Sequence, residues 1–163
     1  MIAVVGASDC DAQTAALAEA VGSRLAENSI TLVCGGLGGV MEAACRGAKA
    51  AGGTTVGILP GTDSAAANPW VDTAIVTGLG EARNVIVVRT AQALIAVGGE
   101  YGTLSEIAFA LKLGIPVIGL STWQLARHGQ IVAGILEVQT AQEAVAQAIT
   151  QAAARLSMLS SPE

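Results

Sequence analysis

The chain has 163 residues, of which 52% are apolar and 13% charged, with a net charge of −5. That is enough for one domain with a real core, and too apolar for a disordered segment. Eight basic residues, concentrated in no segment, argue against sequence-independent nucleic-acid binding, so an anionic ligand has to be met by backbone amides and one or two arginines.

Aromatic residues make up 2%, which leaves the core to Ala, Val, Leu and Ile. Small side chains let helices and strands approach closely. So little charge on a small domain also suggests that some apolar surface is buried between subunits. Met1 leads straight into Ile2-Ala3-Val4-Val5 with no basic flank, so no targeting segment is expected and the expected location is the cytoplasm. No apolar run approaches the ~20 residues that span a bilayer. Cys10, Cys34 and Cys45 form an odd set without CxxC spacing, expected to be reduced thiols.

In chain order, Ile2–Gly6 reads as a first strand. Asp9 or Asp11 caps a helix to about Asn28, with Leu17, Val21 and Leu25 at four-residue spacing. Ile30–Val33 is a second strand. Gly39–Ala51 is a helix stopped by Gly52-Gly53. Thr54–Ile58 is a third strand. Residues 59–72 carry turn formers without a period, as binding loops and lids do. Trp70 within them either pins the loop or offers a flat face to a planar ligand.

Thr73–Val76 is a fourth strand, and Gly80–Thr90 a helix despite the β-branched run from Val85 to Val88. Ala93–Val97 is a fifth strand, Thr103–Leu113 a helix and Pro116–Leu120 a sixth strand. Ile135–Val138 is a short seventh, followed by a helix from Thr140 to about Leu156. This alternation implies a single Rossmann-like α/β domain over 1–158, with a doubly wound parallel sheet and a flexible tail over 159–163. Ligands of such sheets lie beyond the carboxyl ends of the strands.

Two glycine clusters follow strands and open into helices. The first is Gly35-Gly36-Leu37-Gly38-Gly39-Val40-Met41-Glu42. The second is Gly98-Gly99-Glu100-Tyr101-Gly102-Thr103-Leu104-Ser105-Glu106. Such turns present amides at the positive end of a helix dipole, which suits an anion. Gly36, Gly38 and Gly39 can serve one anionic group, and Gly98, Gly99, Gly102 and Thr103 a second. Cys34, beside the first cluster, either touches that ligand or is simply a small buried residue.

Other chemistries lack their signatures. The first turn, Gly6-Ala7-Ser8-Asp9-Cys10, lacks the three glycines of a dinucleotide fingerprint, and no Walker lysine follows either cluster. His128 is the only histidine and sits in a polar stretch. No metal-ligand cluster is visible.

The glycine clusters, Pro60-Gly61 after a strand, and Ala82-Arg83-Asn84 together resemble the LOG superfamily, once labelled "possible lysine decarboxylases". The resemblance runs from the first strand through Leu120. It looks most like the molybdenum cofactor carrier branch. Related phosphoribohydrolases cleave the N-glycosidic bond of nucleoside 5′-monophosphates. They carry one residue between the glycine pair and Gly-Thr, and an Arg-Lys pair on the preceding helix. Here Glu100 and Tyr101 fill that gap, Val97 replaces a proline, and Asn84 stands in place of the lysine.

The resemblance implies a homo-oligomeric carrier, dimer or tetramer. Its cargo would be the molybdenum cofactor, with molybdoenzymes or cofactor-synthesis proteins as partners and no metal held by the protein itself. Binding would fall to Gly35, Gly36, Gly38, Gly39, Arg83, Gly98, Gly99, Gly102, Thr103 and Glu106. In the hydrolase alternative, Arg83 and Glu106 would be catalytic, Glu106 supporting an oxocarbenium-like centre. Arg83 can fork onto phosphate or oxo groups. Glu106 also fits a capping box, Thr103-x-x-Glu106, and Glu42 fits a helix pair with Arg46.

Overall fold

The structure, a computed structural model, describes residues 1–160. In chain order its main elements are β1 (Ile2–Val5), α1 (Ala12–Glu27), β2 (Leu32–Cys34), α2 (Val40–Ala50), β3 (Thr55–Leu59) and β4 (Thr73–Val76). Then follow α3 (Asn84–Thr90), β5 (Leu94–Val97), α4 (Tyr101–Lys112), β6 (Val117–Leu120), β7 (Ala126–Arg127), β8 (Gln130–Ile131), β9 (Ile135–Val138) and α5 (Ala141–Ser160). Seven strands form one parallel sheet in the order β4-β3-β2-β1-β5-β6-β9, while β7 and β8 make a separate hairpin. This is the expected Rossmann-like α/β architecture.

The chain builds outward from β1 to β4, then crosses back to place β5 on the other side of β1. Strand order therefore reverses between β1 and β5, which opens a crevice at their carboxyl ends. Both strands are buried along their whole length, as strands covered on two faces are. Ile2 and Val4 point into a core built with α1, α2 and α5. Ala3 and Val5 point into a second core with α3 and α4.

Glycine brings α1 and α2 together. A Cβ at Gly22 would collide with the backbone of Ala44, and one at Gly47 with that of Glu19. Arg46 reaches across this seam to Glu19 at 2.8 Å. It does not pair with Glu42 on its own helix, as the spacing suggested, because the close neighbouring helix supplies a better-placed carboxylate.

Local differences from the expected elements have identifiable causes. Ser29 takes a left-handed turn, and β2 begins at Leu32 instead of Ile30. The expected helix at Gly80 divides into a 3-10 turn, Gly80–Arg83, and α3. The α4 helix starts at Tyr101, with Glu100 at its N-cap, so Thr103 lies inside it and does not cap it. The capping pattern operates at α5 instead, where Glu143 N donates to Thr140 Oγ1 at 3.1 Å and Gln139 N donates to Glu143 Oε2 at 3.1 Å. The α5 helix continues to Ser160, past its expected end and into the expected tail, whose residues 161–163 lie outside the described residues. The β7–β8 hairpin had no clear period, and exposed His128 sits at its turn with Gly129, both at positive φ.

Candidate functional site

A cavity of about 340 Å³ occupies the crevice between β1 and β5. The β1–α1 loop supplies Gly6, Ala7, Ser8 and Asp9. The turn before α3 supplies Glu81, Arg83 and Asn84, and the start of α4 supplies Glu100, Gly102, Thr103 and Glu106. Leu37 and Met41 complete the wall. Arg83, Asn84, Thr103 and Glu106 are buried, whereas Asp9, Glu81 and Glu100 are exposed. The cavity thus has a polar buried floor and an acidic rim.

Arg83 is the central feature of that floor. It is only 7% exposed, and its buried Nε and Nη1 have no hydrogen-bond partner among the described residues. Unmet buried donors cost free energy, so their retention points to a ligand that accepts from them. Gly35 makes the seat for this side chain: a Cβ there would collide with Arg83 Nη1. The first glycine cluster therefore acts partly by giving the guanidinium room.

Glu106 is also 7% exposed. Burial pushes its carboxyl up to about 7 from an ordinary 4.5, while Arg83 pulls it down and Glu81 raises it further. Near neutral pH it is therefore partly protonated and able to donate as well as accept. Asn84 donates to Ser105 Oγ at 3.0 Å, and Ser105 Oγ donates to Gly102 O at 2.7 Å. This chain ties α3 to the second glycine turn. Asn84 thus has a bridging role where the hydrolase pattern has a lysine.

The remaining glycines lie elsewhere. Gly36 (φ +73°) packs on Leu59 and Gly57, and its amide donates to Cys34 Sγ at 3.3 Å. Gly38 and Gly39 press on the backbone of Ala7 and Ser8, and Val40 N donates to Ala7 O at 3.0 Å. The β1–α1 loop therefore covers the start of α2. Gly98 and Gly99 open on a separate cleft of about 310 Å³ with Ser121, Thr122 and Trp123. Exposed Tyr101 stands against Trp123 there, with ring centroids 5.7 Å apart. Both glycine clusters reach the cavity, the first through Leu37 and Met41 and the second through Glu100, Gly102, Thr103 and Glu106, but Gly35, Gly36, Gly38, Gly39, Gly98 and Gly99 are not in its lining.

Residues 59–72 are fastened down. Asn68 donates from its backbone to Gly36 O and from its side chain to Leu37 O, both at 2.9 Å. Trp70 is 38% exposed and does not line the cavity. Cys34 and Cys45 are free, buried and 3.5 Å apart at their sulfurs, and Cys34 does not reach the cavity. Among the described residues, no His, Cys, Asp and Glu cluster is placed to hold a metal, and no helix is long and apolar enough to cross a membrane.

The glycine pattern did not mark Asp9 or Glu81, and it noted Glu100 only as a residue filling the gap within the second cluster. The β1–α1 loop carries a single glycine, and its importance follows from β1 lying at the reversal of strand order.

A parallel sheet with its pocket at that reversal defines a Rossmann-like α/β domain. The chain belongs to the SLOG cluster4 family, whose model matches residues 1–155. It is 46% identical over 144 residues to a protein of Archaeoglobus fulgidus without a functional description, covering 88% of this chain and 91% of that one. Its fold is similar to that of the molybdenum cofactor binding protein from the phototrophic bacterium Rippkaea orientalis. The TM-score there is 0.83 at 34% identity, covering 91% of this chain and 94% of that chain. The molybdenum cofactor carrier protein of Chlamydomonas reinhardtii matches with a TM-score of 0.80 at 35% identity, over 94% of this chain and 98% of that chain.

Proposed function

We propose that this protein binds, stores and hands on the molybdenum cofactor, a pterin with a phosphate tail and a molybdenum-oxo head. The observation that carries this reading is Arg83: a buried guanidinium with two unmet donors at the reversal of strand order. Such a group fits the oxygen acceptors of this ligand, whether phosphate, oxo or ring carbonyl. The names of the Rippkaea and Chlamydomonas neighbours support the cargo. Carriage needs contacts and shape but no covalent step. Molybdoenzymes or cofactor-synthesis proteins would then be the partners.

Self-association belongs to the same proposal, as a homodimer or tetramer. Exposed Ile75, Val76 and Leu79 along and beyond the β4 edge support it. Sedimentation of the purified chain tests it.

The protein purified from cells that make the cofactor should carry pterin fluorescence after oxidation, and the loaded protein should restore a cofactor-free molybdoenzyme. Lack of both results rejects the proposal. A phosphoribohydrolase is the second reading, because Arg83 and Glu106 share one cavity and Glu106 titrates near neutrality. Adenine released from adenosine monophosphate, and lost in Glu106→Gln, would favour it.

A further inference from the structure

The cavity floor holds a cation and a carboxylate that feel each other's charge but form no ion pair. Arg83 and Glu106 both line the cavity and both are 93% buried, the complement of 7% exposure. Neither side chain takes a hydrogen bond or ion pair from another described residue. Two buried charges left open in this way are unfavourable until a ligand group lies between them. That group has to accept from a guanidinium and donate to a carboxylate. A phosphate only accepts, so it suits Arg83 but opposes ionised Glu106.

We propose that Arg83 and Glu106 together read the carbonyl and N–H edge of a 2-aminopyrimidin-4-one ring, the edge that pterins and guanine share. The ring carbonyl accepts from Arg83. The adjacent ring N–H and exocyclic amine donate to the two oxygens of Glu106. The matching edge of adenine places an acceptor nitrogen where the carboxylate needs a donor, so adenine is disfavoured. The inference rests on the cofactor reading only in taking this cavity as the ligand's seat.

The rim agrees with this edge. Asp9, Glu81 and Glu100 surround the mouth, and Arg83 is the only basic residue of the lining. An acidic mouth favours amine and N–H groups over a second multiply charged anion. A phosphate on the same ligand is left to the Gly102 and Thr103 amides at the start of α4, where the helix dipole is positive.

Protonation supplies a signature. The charged and titratable groups facing Glu106 are Arg83 and Glu81 from the turn before α3, and Cys34 at the end of β2, with Asp9 and Glu100 at the rim. Once protonated, Glu106 donates as well as accepts and matches adenine too. Discrimination therefore weakens as the pH falls.

The test is calorimetric titration of the full chain with guanosine 5′-monophosphate, adenosine 5′-monophosphate and ribose 5-phosphate, with neopterin followed by fluorescence. Near pH 8.5 the guanine nucleotide should bind at least about tenfold more tightly than the adenine one. The ratio should shrink toward parity near pH 5.5, and Glu106→Gln should lose the preference at both pH values while melting as a folded protein. Tight binding of neopterin identifies the pterin as the source of the edge, and a guanine nucleotide binding far better than neopterin identifies a nucleotide.

Equal affinity for the two nucleotides near pH 8.5, a preference that survives Glu106→Gln, or no binding of either ring overturns the inference. Equal affinity leaves the cofactor reading standing. Absence of bound pterin together with failure to restore a molybdoenzyme removes that reading and leaves the edge preference in place.

Discussion

Arg83 and Glu106 lie in one cavity, oppositely charged and both buried, and form no ion pair. Burial without pairing is the costly arrangement for charged groups. Under the proposed function, the arrangement gives up stability in exchange for a place to hold a ligand.

Removing the guanidinium should therefore harm binding far more than folding. Arg83→Ala is expected to lower ligand affinity by roughly a hundredfold, the usual cost of deleting one charged partner in a desolvated site. The melting temperature should move by no more than about 4 °C, because the side chain's buried Nε and Nη1 have no hydrogen-bond partner among the described residues. Arg83→Lys should restore only part of the affinity, since an ammonium cannot fork. Pterin retained through purification and a thermal melt measure the two effects.

Gly35→Ala should imitate the loss of Arg83. The methyl group would occupy the guanidinium's seat and also press on Met41 Sδ. The backbone at Gly35 has no positive φ, so the cause would be steric. Cargo content should fall toward that of Arg83→Ala. Normal cargo retention in a folded Gly35→Ala protein would count against this role.

Glu106 should make stability depend on pH. Its carboxyl titrates near 7 in the folded chain, raised mainly by burial from an ordinary 4.5. Between those values the native state binds more protons than the unfolded state. Its stabilising contribution is therefore complete below about 4.5 and is lost as the pH rises through 7. Glu106→Gln should be more stable than the parent at pH 8, by up to about 3 kcal/mol, and close to it at pH 4.5. Urea unfolding at the two pH values measures the difference.

Asn68→Ala should release the 59–72 loop from the first glycine turn. It removes the side-chain donor to Leu37 O and the acceptor for Trp70 N. A cost of about 1–3 kcal/mol is expected. Tryptophan emission should shift to the red, because Trp70 follows this anchor by two residues. An unchanged melt and spectrum would show that the loop is held by its other contacts.

Much of the architecture was legible because its signals are local. Alternating strand and helix patterns, with glycine stops after α2 and α4, define a parallel α/β sheet wherever they occur. The two buried charged residues of the cavity, Arg83 and Glu106, stood out through the motif around them. Their shared cavity did not, because it depends on β5 folding back beside β1. The same crossing separates Gly98 and Gly99 from the cavity that takes Gly102 and Thr103. It also brings in the β1–α1 loop, whose Asp9 has no distinctive neighbours in the chain.

The sequence by itself determined which segments become strands and helices, and where glycine permits sharp turns. These are properties of short stretches of backbone and side-chain pattern. Only the tertiary structure decided which carboxylates face Arg83, which glycines serve packing, and how far Glu106 is withdrawn from water. Those outcomes come from distances between residues remote in the chain, and charge and desolvation act through space.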